Sequence, residues 1–175
     1  MGYEYWIVYD VATGAELYRG SGSVGSAAFQ TLPDGTGLIV VPQAVVAAPT
    51  VDLDALRVAL SFGIDNAAEQ ARARFVTALP AQIGTYVLKE AAARAWLANS
   101  SAPTAMLAPE ADARGMTIAD LATEVIANAD AWTQLSGAIE GLRFGAKRRI
   151  AEATTIGNIA LAAQVDWTVL NGPAG

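Results

Sequence analysis

The feature that most constrains this chain is a three-four alternation of seam residues between Ile118 and Ala146. Ile118, Leu121, Val125, Asn128, Trp132, Leu135, Ile139, Leu142 and Ala146 share one stripe of a helix, the pattern by which helices pack on helices. Sustained for about four heptads at ~1.5 Å per residue, it predicts a helix of roughly 40 Å or more. Thr117 is a ready N-cap, with Asp120 three residues on completing a near capping box. Asn128 either fixes register through paired amides or faces solvent at a distorted turn.

Gly137, Gly141 and Gly145 lie on one ridge of the same helix. The flanking Glu140, Arg143 and Lys147 forbid a membrane helix, so the ridge marks either close approach of another backbone or a weak helix, since each glycine costs about 1 kcal/mol against alanine.

The first fifty residues follow a different period. Tyr3 to Asp10 alternates as a strand, with Tyr3, Tyr5, Ile7 and Tyr9 on one face and Glu4, Trp6 and Val8 on the other. Asp10 to Gly14 reads as a turn, Glu16 to Arg19 as the returning strand, and Gly20-Ser21-Gly22-Ser23 as a flexible loop. Pro33 to Gly37 is a strong turn signal before the β-branched strand Leu38 to Val41, and Ala44 to Val46 is expected as a fourth strand. A sheet this small is marginal alone and needs something to lean on.

Pro49 and Asp52 place a boundary, giving a small β domain over 1–48 and a helical domain over 49–175. From Leu53, the stripe Leu56, Leu60, Ile64, Ala67, Ala71 and Phe75 predicts a helix reaching Pro80. A second is expected from Gln82 to Ala98, with Tyr86, Ala93 and Trp96 as its apolar contacts. A short turn or helix from Pro109 ends at Gly115. Thr154 to Asn158 interrupts the pattern, Ile159 to Trp167 is a last helix or strand, and Asn171 to Gly175 a frayed tail. The fold class is therefore α+β: a small N-terminal antiparallel sheet followed by a helical hairpin or bundle with one long helix.

Composition narrows the chemistry. The chain has 175 residues, 53% hydrophobic and only 16% charged, with much of the apolar share in alanine, so close helix packing or subunit contact is its natural sink. Oligomerisation follows as an expectation. With neither cysteine nor histidine, thiolate, disulfide, zinc-finger and histidine-based mechanisms are excluded together. A net charge of -6 argues against nucleic acid as a partner. Arg143, Lys147, Arg148 and Arg149 form one basic cluster, either a small patch facing phosphate or an acidic partner or, more simply, positive charge at a helix end. No apolar run approaches the ~18 to 20 residues that span a bilayer, and no secretory signal is apparent.

Carboxylates are the remaining catalytic currency. Asp52 with Asp54, Asp65 with Glu69, and Glu110 with Asp112 are the closest pairs in sequence. Each has a plainer explanation, as a helix start, a solvated face and an exposed turn respectively, so no catalytic, cofactor or metal residue is assigned. Trp96 and Trp132 read as bundle core, while Trp6 with Tyr3 and Tyr5 is a candidate docking surface for a partner or for the helices.

The runs Ala67 to Thr77 (AAEQARARFVT) and Gln82 to Trp96 (QIGTYVLKEAAARAW) resemble the helical region of tail-associated and tail-fibre-assembly proteins of tailed bacteriophages and prophages. Ile118 to Trp132, Ile139-Glu140 and Gly145-Ala146-Lys147 continue the likeness over roughly residues 55 to 153, with a looser one from Tyr5 to Gly14. The resemblance implies a virion component, tail or tail-fibre associated, assembled in host cytoplasm and working through contacts with other phage structural proteins and copies of itself. An assembly chaperone that leaves the finished particle is the alternative. No catalytic residue, cofactor, nucleic acid or membrane comes with it.

Overall fold

The structure, a computed structural model, describes residues 2–75 and 80–170. Three strands, β1 (Tyr3–Asp10), β2 (Glu16–Ser23) and β3 (Thr36–Val41), form an antiparallel sheet in the order β2-β1-β3. Among the described residues six α-helices follow: α1 (Gln43–Val46), α2 (Leu53–Ala73), α3 (Pro80–Ala98), α4 (Ala108–Arg114), α5 (Ile118–Glu152) and α6 (Ile156–Ala162). The expected α+β class is what the chain forms. No helix among the described residues is long and apolar enough to cross a membrane.

β1 is hydrogen-bonded at both edges, and both of its faces are covered. Ile7 and Tyr9 enter the larger core with Leu56, Ile64, Ile150 and Ile159, while Trp6 and Val8 pack on the other face with Ala27 and Leu32. The Asp10 carboxylate takes the Thr13 amide at 2.7 Å and Gly14 has φ +71°, so the hairpin turn forms as its sequence directs.

The Gly20 to Ser23 stretch is strand, not flexible loop. Gly20 lies opposite Trp6 across the pair, and a Cβ there would meet the indole at 2.3 Å; Gly37 lies likewise opposite Tyr9, and a Cβ there would meet its ring at 2.4 Å. In both places an aromatic side chain lies over a glycine of the neighbouring strand, filling the space its missing side chain leaves. The expected fourth strand is also corrected: after Pro42 the chain turns into the short helix α1, with Val45 buried in the core. Pro42 supplies no amide to a ladder but starts a helix without loss.

Asp52 caps α2 as expected, its carboxylate accepting the Asp54 and Ala55 amides at 2.9 and 3.0 Å. That helix ends at Ala73 rather than running to Pro80; residues 76–79 lie outside the described residues, as does the expected tail 171–175. Thr117 caps α5 by accepting the Asp120 amide at 3.1 Å and donating its hydroxyl to the Asp120 carboxylate at 2.7 Å. Gly115, with φ +63°, ends α4. The Thr154 to Asn158 interruption resolves as a new N-cap, Thr155, opening α6.

By contact the chain gathers into two compact units, Met1–Glu69 with Glu140–Trp167, and Gln70–Ile139 with Thr168–Gly175. The first holds the sheet, the beginning of α2, the end of α5 and all of α6. The expected division at 48/49 falls between α1 and α2, and the contacts group the sheet with helix segments far along the chain. The second unit has its own core of Ala93, Leu107, Ala111, Leu121 and Ala122, with Trp96, Ile118 and Val125 packed against it.

Candidate interaction surface

The seam residues of α5 divide by burial. Leu121, Leu135 and Ile139 are buried within the single chain; Ile118, Val125, Trp132 and Leu142 are half-buried. Asn128 is exposed, which fits the solvent-facing alternative. A Cβ on Gly137 or Gly141 would meet nothing within 4 Å among the described residues.

The aromatic strand offers less docking surface than its sequence suggests. Tyr3 is exposed, but Tyr5 packs against the core and Trp6 is only 4% exposed. Trp6 lies against Gly20 and the 3-10 turn Ser26–Phe29 instead of pointing outward. Its indole Nε1 donates to no acceptor among the described residues.

The carboxylates are engaged. Asp65 accepts from Lys147 at 2.8 and 3.0 Å and from Arg143 at 2.8 Å, joining α2 to α5 within the first unit. These cations, Lys147 first, hold its carboxyl below the usual range. Asp65 is thus an ion-pair centre and not a free anion on a solvated face. Glu110 sits on α4 rather than in an exposed turn, paired to Lys89 and to Arg114, and Lys89 is the main cause of its lowered pKa. The basic cluster is largely committed too: Arg143 also holds Glu140 at 2.7 Å, and Arg148 lies 3.9 Å from Glu152. Beside Asp65 and Lys147, a shallow groove of about 370 Å³ is lined by Arg57, Val58, Phe62 and Ile150. No group of three or more metal-binding side chains occurs among the described residues.

What the sequence reading missed is the outward side of α3. Ala92, Ala93 and Trp96 turn toward the core of the second unit, but Gln82 to Leu88 are all exposed, including the expected contact Tyr86. Ile83, Tyr86, Val87 and Leu88 remain between 49% and 61% accessible. At 100° per residue, Gly84, Val87, Leu88, Ala91, Ala95 and Ala98 share the side opposite the core, and all are exposed. A helix that is apolar on both sides ordinarily has both sides covered. The signal was present in the sequence as a run without charge from Arg74 to Lys89.

No family model, no curated protein and no solved structure matches the chain.

Proposed function

We propose that the chain is a structural component of a bacteriophage virion, tail or tail-fibre associated, that acts by protein-protein contact rather than catalysis. The observation that carries this reading is the large apolar surface left outside two well-formed cores. It includes the outward side of α3, Val58 and Phe62 on α2, Phe144 on α5, and Phe29, which is 87% exposed. Scattered apolar residues need no explanation, but an uncharged helix side is the kind of surface that a partner covers.

The condition of the carboxylates points the same way. The pKa values of Asp65 and Glu110 are lowered by paired cations, the opposite of the raised pKa that suits a general acid near neutrality. The particle itself is supplied by the resemblance over residues 55 to 153.

Quantitative mass spectrometry of purified particles tests the proposal. A fixed, stoichiometric copy number supports it. Production in infected cells with absence from particles favours the assembly chaperone instead. Turnover of a substrate that is lost in Glu110→Gln or Asp65→Asn would replace both readings with an enzyme.

A further inference from the structure

The outward side of α3 has the shape and chemistry to pack against itself. We infer that it is the interface of a two-fold symmetric dimer, in which α3 of one copy lies antiparallel against α3 of a second. This rests on the protein-contact reading above, but not on the identity of the particle.

Three observations select a second copy as the occupant. The first is spacing. Gly84, Leu88, Ala91, Ala95 and Ala98 repeat at four, three, four and three, the seam of one helix against another, and every one of them is exposed. The second is volume. The bulky residues Ile83, Val87 and Leu88 occupy the first half of the helix and the small ones, Ala91, Ala95 and Ala98, the second. Reversing the helix about Ala91 sets Leu88 of each copy against Ala95 of the other, while Gly84 meets Ala98 and Ala91 meets Ala91, so each bulky seam residue faces a small one and the remaining layers let the backbones approach closely. A parallel pair would set Leu88 against Leu88 and leave the alanine end hollow.

The third is area and charge. On this side Val87 and Leu88, with Ile83 at its edge, are each about half exposed, which at roughly 80–100 Å² apiece amounts to about 240–300 Å² of apolar side chain. That is about a third of the ~800 Å² per partner in a standard interface before the exposed Gly84, Ala91, Ala95 and Ala98 are counted. Glu90 and Arg94, paired at 2.9 Å, flank this side, and the same reversal brings Glu90 of each copy toward Arg94 of the other. With no charge on the seam itself, nothing selects a differently charged partner, and interfaces between identical chains are the more apolar kind.

The chain has no cysteine, so a single introduced thiol reports the geometry directly. Light scattering coupled to gel filtration at micromolar concentration should give twice the 18.1 kDa of one chain. Leu88→Glu and Ala91→Arg, both at exposed positions, should halve that mass with the helical circular-dichroism signal unchanged. Under added diamide, Ala91→Cys should cross-link to a covalent dimer, whereas Phe144→Cys should not. A wild-type chain that runs as a monomer overturns the dimer and assigns the α3 side to a different protein. An oligomer that survives Leu88→Glu, or that Ala91→Cys fails to cross-link, also overturns it, by placing the contact elsewhere. Neither result touches the particle assignment, which mass spectrometry decides separately.

Discussion

The carbonyl of Gly14 accepts the amide of Gly157 at 3.1 Å, joining the tip of the first hairpin to the first turn of the last long-range helix, α6. The approach is close enough that a Cβ on Gly157 would lie 2.7 Å from the Gly14 Cα, while one on Gly14 would meet the Thr155 hydroxyl at 2.2 Å. Gly157→Ala should therefore cost about 1–3 kcal/mol by overpacking, read as a lower urea midpoint. Gly14→Ala should cost at least as much, because it adds strain at φ +71° to the same collision. An unchanged midpoint for both would mean that the hairpin does not dock on α6.

Glycines elsewhere predict opposite signs. Gly20→Ala drives a methyl into the Trp6 indole and should destabilise the sheet, with a red shift in tryptophan emission as Trp6 is displaced. Gly137→Ala and Gly141→Ala meet nothing within 4 Å and should instead stabilise α5 by up to about 1 kcal/mol each. Thermal melts of the three variants provide the comparison. A loss on Gly137→Ala comparable to that on Gly20→Ala would show that something covers the ridge in the working protein.

Acid should weaken the first unit through Asp65. Its pKa is depressed in the folded state by Lys147 and Arg143, so its contribution is fully present above the unfolded value, about 3.9, and is lost as pH falls through the folded value. At pH 7, Asp65→Asn should lower stability by up to about 1 kcal/mol, as expected for a partly exposed ion-pair network. The difference from wild type should shrink to nothing in strong acid. Parallel wild-type and variant curves down to the lowest pH would remove Asp65 from the account.

Buried seam positions should respond to substitution as core. Leu121→Ala and Ile139→Ala remove fully buried side chains and should each cost about 2–5 kcal/mol. Leu135→Asp, which buries an unpaired carboxylate, should unfold the region around it. Asn128→Ala, at an exposed position, should change stability by no more than about 0.5 kcal/mol. Urea denaturation of this set separates core from surface along a single helix.

Helix starts and the long seam were legible because they depend on neighbours in sequence. Asp52 and Thr117 cap where they should, and Leu121, Leu135 and Ile139 are buried as their spacing requires. The errors came from partners distant in the chain. Gly20 to Ser23 has loop composition, and pairing with Tyr3 to Trp6 of the neighbouring strand makes it strand. Trp6 itself looked available because alternation gives a side chain's face but not what covers that face. On α3 the periodicity found Ala93 and Trp96, yet the opposite side escaped notice because alanine and glycine contribute little to an apolar pattern. Asp65 could not be matched to Lys147, since a solvated face and an interhelix ion pair have the same local sequence.

Arg19 gathers the backbone carbonyls of Val46, Ala48 and Pro49, while Glu16 holds the same guanidinium at 2.6 Å. The segment leaving the sheet is thereby clasped at the place where a hinge would have to open for copies to exchange their N-terminal strands. Domain swapping needs such a hinge to extend. With its exit pinned, exchange of the hairpin between copies is disfavoured, and the dimer proposed above would form by apposition of finished subunits.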